Sequence, residues 1–256
     1  MSSGVQITLD GRRALVTGGA RGLGAAIVRG LARAGAAVVV ADVRQEQAKE
    51  LCESLIAEGR QARPVALDVR DPEAVAELFE ELDAHTGTPD GAAGEAVDIL
   101  VNCAAVDVTK SVAELTAEEI TRVITTDLLG PMYLCREAYR RMVAAGGGHI
   151  VNILSTAAVG TWTEAGPYSA AKTGLRAFTH TLFKEAQRDC PGIGVTGVIA
   201  GGMETPFIMD RFPDTDTALL QSPEVVADAV MYALSVPPGS AAAELVVVPR
   251  REVSWP

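Results

Sequence analysis

A chain of 256 residues with 48% apolar content can form one sizeable core but leaves little room for a separate substrate domain. Its formal charge of −11 argues against nucleic acid or anionic membrane as a partner, since both recruit basic surface, and favours small-molecule chemistry. Cys52, Cys103, Cys135 and Cys190 form no C-x-x-C and read as reduced packing residues; with no signal-like opening and no span-length uncharged stretch, a soluble, cytoplasmic protein is expected.

A β-branched run from Ala14 to Thr17, an amphipathic stretch from Leu23 to Ala34 and a second run from Ala36 to Ala41 form a strand-helix-strand unit. Further strands are expected at Ala62 to Leu67, Val97 to Asn102, His149 to Leu154, Val195 to Ile199 and Glu244 to Val248. All are nearly continuously apolar, as suits strands of a parallel sheet buried on both faces. Helix starts are marked by Asp71-Pro72, by Thr116 with Glu119 as a capping box, and by Ser222-Pro223. Seven strands alternating with helices predict a single domain with a doubly wound, Rossmann-type α/β fold and a seven-stranded parallel sheet. The small and polar residues of 85–95 predict a surface loop.

Directly after the first strand comes Thr17-Gly18-Gly19-Ala20-Arg21-Gly22-Leu23-Gly24, and a helix follows. Gly18, Gly22 and Gly24 in that setting supply a tight turn, close backbone approach to a pyrophosphate and close helix-to-strand packing, while the helix N-terminus favours negative charge. The spacing is G-x-x-x-G-x-G, so it is the strand before and the helix after that mark a dinucleotide site. Asp42 ends the second strand 18 residues beyond Gly24, where a carboxylate accepts from ribose hydroxyls and repels a 2′-phosphate. NAD is therefore favoured over NADP. Arg44 with Arg21 offers the opposing possibility of a 2′-phosphate clamp.

With these motifs placed, the chain resembles the short-chain dehydrogenase/reductase family, in its 3-oxoacyl-carrier-protein reductase-like branch. The resemblance runs from Leu9 to about Pro249 and rests on Thr17 to Gly24, Asp68-Val69, Asn102-Cys103-Ala104-Ala105, Ser155 and Tyr168-Ser169-Ala170-Ala171-Lys172. Tyr168 and Lys172, four apart on a predicted helix, project from one face, and a neighbouring ammonium lowers a phenol's pKa toward usable acid/base range. Ser155, 13 residues before Tyr168, matches the family's serine that steadies the substrate oxygen. The resemblance implies hydride transfer between nicotinamide and a secondary alcohol or ketone, with Ser155, Tyr168, Lys172 and Asp127 as the catalytic set. It places the cofactor against Gly18, Arg21, Gly22, Leu23, Gly24, Asp42, Val43, Asp68, Val69, Asn102, Ala104, Tyr168, Lys172, Met203 and Thr205. A homotetramer or homodimer through helices at Asp127 to Val143 and Arg176 to Arg188 is likewise implied.

Three departures qualify the resemblance. Asp127 stands where the family has an asparagine and brings a negative charge to the proton path. Cys103 and Ala105 alter the usual N-N-A-G, and Ala200-Gly201 replaces a P-G. These departures motivate a competing reading, a catalytically weak dinucleotide-binding regulator of the same fold. Residues 206–221 are expected to form a short substrate lid, with Trp162, Met203, Phe207, Ile208 and Met209 at an apolar entrance suited to a bulky or carrier-bound substrate. His85, His149 and His180 lack metal-ligand spacing, and no metal is expected.

Overall fold

The computed structural model describes residues 7–84, 97–252 and 255. Its strands are β1 (Arg13–Thr17), β2 (Ala37–Asp42), β3 (Ala62–Ala66), β4 (Ile99–Asn102), β5 (Gly148–Ser155), β6 (Ile193–Ala200) and β7 (Glu244–Val247). They pair in parallel in the order β3-β2-β1-β4-β5-β6-β7. The helices are α1 (Gly22–Arg33), α2 (Gln45–Ala57), α3 (Pro72–Ala84), α4 (Ala117–Ile124), α5 (Gly130–Ala145), α6 (Gly166–Asp189), α7 (Pro206–Met209) and α8 (Pro223–Ser235). This is the doubly wound α/β architecture expected from the alternation of patterns. The predicted loop at 85–95, with His85, lies outside the described residues. No helix among the described residues is long and apolar enough to cross a membrane.

Two cores explain why the strand runs are apolar without alternation. Ala14 and Val16 of β1, Val38 and Val40 of β2, and Ile99 and Val101 of β4 pack beneath α1, α2 and α8. The intervening Leu15, Val39, Ala41 and Leu100 pack beneath α3, α5 and α6. Each strand thus feeds both faces, as a parallel sheet covered on both sides requires. Burial on both faces fails at the two ends of the sheet: β3 and β7 are half-exposed, because each has a partner on one side only. Pro64, which donates nothing to a ladder, is accommodated in β3 for that reason.

The helix expected from Asp127 begins differently. α4, opened by the Thr116–Glu119 capping box, passes into a π-helical turn at Thr125–Leu129 before α5 resumes regular geometry. The stretch from Arg176 to Arg188 lies within the 24-residue α6.

Strand order reverses between β1 and β4, so the loops leaving their carboxyl ends diverge and open a crevice. Directly below it, a buried polar chain fixes the strand ends. Asn102 Nδ2 donates to Asn152 Oδ1 at 2.8 Å and to Cys135 Sγ at 3.3 Å, and Asn152 Nδ2 donates to Thr179 Oγ1 at 2.8 Å. Asn152→Ala leaves the Asn102 amide and the Thr179 hydroxyl short of a partner in the core. Loss of about 1–3 kcal/mol of unfolding free energy is expected, measured by urea denaturation, where a value near zero would show that the chain does not stabilise the sheet.

Candidate active site

The crevice deepens into a cavity of about 940 Å³ running from the glycine loop to Tyr168. At one end, Gly18 turns the chain with φ of +65°, and a Cβ there would lie 2.7 Å from Ala104 Cα. A Cβ on Gly24, in the first turn of α1, would lie 2.0 Å from the Gly18 carbonyl oxygen. Gly22, also at positive φ, completes the bend. The loop is therefore closed upon itself and upon β4 in a way that admits no side chain at either contact, leaving backbone and helix N-terminus facing the cavity. Arg21, Leu23, Val43, Val69 and Ala104 line the same end. These features fit a dinucleotide's phosphates, and Asp42 lines the same end of the cavity.

Asp42, 4% exposed, accepts from the backbone N–H of Ala20 at 3.1 Å and of Arg44 at 2.9 Å, so its carboxylate is held in place while lining the cavity. Both arginines of the prospective 2′-phosphate clamp are turned to carboxylates. Arg44 lies 3.6 Å from Asp42, and Arg21 bonds Asp210 at 2.9 Å. Asp68 is likewise committed to Arg70, whose guanidinium holds its carboxyl below the usual range. Asn102 is the exception among the expected cofactor residues: its side chain belongs to the buried chain beneath the crevice and does not line the cavity.

At the other end, β5 and α6 bring Ser155, Tyr168 and Lys172 together, each at most 8% exposed. Tyr168 and Lys172 lie on one face of α6, with Lys172 Nζ 5.5 Å from the phenol ring centre. Nζ donates to the Ile153 carbonyl at 3.2 Å and sits 3.3 Å from Asp127 Oδ2, an ion pair without hydrogen-bond alignment. Asp127 is fully buried in the π turn, and its Oδ1 accepts from the Val106 N–H at 2.8 Å. It does not line the cavity; Thr126 beside it does.

The titration pattern differs from the simple picture of a tyrosine acidified by its lysine. Burial raises the Tyr168 pKa; Lys172 and a hydrogen bond with Ser155 oppose this, Asp127 and Asp107 add to it, and the net direction is upward. Burial pulls Lys172 down, but Asp127 and Tyr168 outweigh it, so its pKa rises. Asp127 itself is raised to about 6 by burial, against the pull of Lys172 and the Val106 N–H. The expected lowering of Tyr168 is thus overridden in the free protein by desolvation and by the charge of Asp127.

Over this end lies 206–221. Thr205 is buried, Met203 pairs with Gln221 in an isolated bridge, and Phe207 packs on Tyr168 with ring centres 5.9 Å apart and planes inclined by 40°. Arg211 caps that pair, its guanidinium 4.1 Å from the Phe207 ring centre, its Nε donating to the Phe207 carbonyl at 2.9 Å and its Nη1 to Asp107. Trp162, Met203, Phe207 and Ile208 line the cavity, but Met209 does not. Asp107, Arg122 and Arg211 also line it and carry no local motif; only the fold brings them there. His149 pairs with Thr196 and burial depresses it to about 4, while exposed His180 pairs with Glu244.

Comparison with known proteins agrees with this geometry. The short chain dehydrogenase family profile matches residues 12–216. An uncharacterized oxidoreductase of Thermotoga maritima is 38% identical over 198 residues, which are 77% of this chain and 73% of that protein. The cis-4-hydroxycyclohexanecarboxylate dehydrogenase of Sinomonas cyclohexanicum is 34% identical over 233 residues, covering 88% and 89%. The chain spans only 38% of the longer oxidoreductase EphD of Mycobacterium tuberculosis, which it matches at 30% identity. Among solved structures, a gluconate 5-dehydrogenase from Burkholderia cenocepacia in complex with NADP and tartrate superimposes with a TM-score of 0.83 at 28% identity, covering 95% of this chain and 96% of that one.

The contact between Gly24 and the Gly18 carbonyl generates a direct test of the cofactor end. Gly24→Ala forces the loop apart, so the folded variant is expected to lose most of the rise in Tm that a nicotinamide dinucleotide confers on the parent protein. An undiminished rise would show that the dinucleotide binds elsewhere.

Proposed function

The chain belongs to the short-chain dehydrogenase/reductase family and is an oxidoreductase of it, and on that premise we propose that it interconverts a secondary alcohol and a ketone with Tyr168 as acid/base. The observation that carries this reading is the convergence of Ser155, Tyr168 and Lys172 at one end of a cavity whose other end is the glycine loop. A nicotinamide dinucleotide held there supplies the hydride acceptor or donor. In the oxidative direction Tyr168 takes the hydroxyl proton as the carbinol carbon gives up hydride and the C=O bond forms; reduction runs the same steps backwards. Ser155 donates toward the substrate oxygen and steadies its position. Lys172 remains protonated, stabilises the phenolate and is held in place by the Ile153 carbonyl and Asp127.

Asp127 acts here as a positioning residue. It sustains the ammonium of Lys172, yet its own charge makes the phenol of Tyr168 harder to ionise. The reading also favours NAD, because a 2′-phosphate would meet the carboxylate of Asp42 while Arg21 and Arg44 are already paired. The gluconate 5-dehydrogenase neighbour carries NADP, so the preference rests on these side chains and is settled by titrating the protein with NAD and NADP in parallel.

Tyr168→Phe is expected to cut turnover of a panel of secondary alcohols and ketones by about 10²–10⁴-fold while dinucleotide binding persists. Binding of cofactor with no Tyr168-dependent turnover anywhere in the panel would instead support the regulator. Asp127→Asn removes the anion that holds the Tyr168 pKa up, so the rise of alcohol oxidation with pH is expected to move to lower pH than in the parent enzyme. Superimposable pH profiles of kcat/KM for the two proteins would rule out this role for Asp127.

A further inference from the structure

The charges lining the cavity are almost all matched. Arg44 faces Asp42, Arg70 faces Asp68, Arg21 faces Asp210, Lys172 faces Asp127 and Arg211 faces Asp107. Among the described residues, Arg122 is the cavity-lining cation whose side chain makes no ion pair and no hydrogen bond; its carbonyl is engaged by Thr125. Glu119, one turn earlier, is the nearest acid to consider, but its carboxylate serves Lys110 at 2.6 Å and the Thr116 N–H at 3.0 Å and feels Arg122 only weakly.

Arg122 stands at the substrate end. Its neighbour Val123 packs in the same small cluster as Tyr168, with Val108 and Ala157. Thr126, one turn onward, lines the cavity beside it. A cation in the last turn of a helix often serves the unsatisfied carbonyls there. α4 does not end at Arg122, however: the chain continues through the π turn into α5, so those carbonyls have partners along the helix. Arg122 therefore has no helix-end role, and its guanidinium, exposed to solvent at the cavity, is free to meet a ligand.

We propose that Arg122 is a substrate-recognising residue and that the substrate carries a carboxylate remote from the carbon that Tyr168 serves. A guanidinium matches a carboxylate with two parallel N–H donors, and one unmatched cation balances one negative charge. Arg211 is a poorer receptor, because Asp107 already neutralises it and would repel a second carboxylate. Glu164 sharpens the polarity. It also lines the cavity without an ion pair, its backbone is held at φ of +63°, and its carbonyl accepts from the Lys110 N–H at 3.1 Å. An unpaired acid at the cavity disfavours a carboxylate seated directly against it, which leaves Arg122 as the unmatched cation to receive one. The proposal rests on the alcohol/ketone reading for the substrate's reacting end, but its test reads binding and not turnover.

The test is calorimetric titration of the protein with saturating nicotinamide dinucleotide, using hexanoate, cyclohexanecarboxylate and benzoate, each against its own carboxamide. The parent protein is expected to bind at least one acid about tenfold or more tightly than the amide of the same shape, as a charge-assisted bidentate contact allows. Arg122→Gln is expected to abolish that preference, weakening the acid far more than the amide, and Arg122→Lys to restore part of it. Equal binding of acid and amide in every pair, or a preference that survives in Arg122→Gln, would overturn the assignment. Loss of turnover in Tyr168→Phe leaves these binding ratios unmoved, so the two readings fail separately.

Discussion

The site is organised by one buried ion pair, Lys172 with Asp127, whose side chains are 4% and 0% exposed. Two charges in such a place require further polar support, since burial removes several kcal/mol of hydration from each. The support comes from the backbone: the Ile153 carbonyl accepts a hydrogen bond from Lys172, and the Val106 N–H donates to Asp127. β5, α6, the π turn and the loop after β4 are therefore held in mutual register by two side chains. Loss of either partner would leave the other as an uncompensated buried charge. The pair also bears on Tyr168: beside the larger effect of burial, Lys172 lowers and Asp127 raises the phenol's pKa.

The π turn gives that pair its geometry. Five residues from Thr125 to Leu129 replace a regular segment between α4 and α5, and the altered register sends Asp127 into the core while Thr126 faces the cavity. Gly130 follows at once, and a Cβ there would lie 2.9 Å from the carbonyl oxygen and side chain of Val69. The wide turn and the missing side chain together let this segment sit against the connection leaving β3. Wide helical turns of this kind frequently mark functional sites, and this one carries the acid that pairs with a lysine on a different helix.

These relations set the boundary of what the amino-acid pattern discloses. The sheet was legible because a strand covered on both faces needs apolar residues on both, and β1, β2, β4, β5 and β6 are mostly apolar without alternation. Its ends were misread as equally buried, since Ala62 to Ala66 and Glu244 to Val247 owe their exposure to topology and not to composition. That the glycine loop, Asp42, Ser155, Tyr168 and Lys172 share one cavity could be read ahead because each sits at a fixed offset from a strand end or along a helix. Asn102 was assigned to the cofactor from its place in a motif, whereas its amide is occupied by Asn152 and Cys135, neighbours known only once β4, β5 and α5 are packed. The net direction of the Tyr168 shift was hidden for the same reason. Burial is a property of the assembled core, and Asp127 reaches the phenol's field from a distant segment.

The lid shows why whole-chain charge is a poor guide to the cavity. Two adjacent residues of opposite sign anchor it, Asp210 to Arg21 on the glycine loop and Arg211 to Asp107 on the loop after β4. The first pair is largely exposed and contributes only about 0–1 kcal/mol, so it can yield without disturbing the fold. The second is mostly shielded, and its guanidinium also stacks on Phe207, which in turn packs on Tyr168. The segment is thus tied by an exposed pair to the glycine loop and by a shielded one to the loop after β4. The formal charge of −11 is felt at long range by large polyanions, but inside the cavity each paired acid meets its own cation within a few ångströms, where local pairing outweighs the distant sum. The charge that the cavity presents therefore depends on which individual groups remain unmatched, a property that no count of charged residues can express.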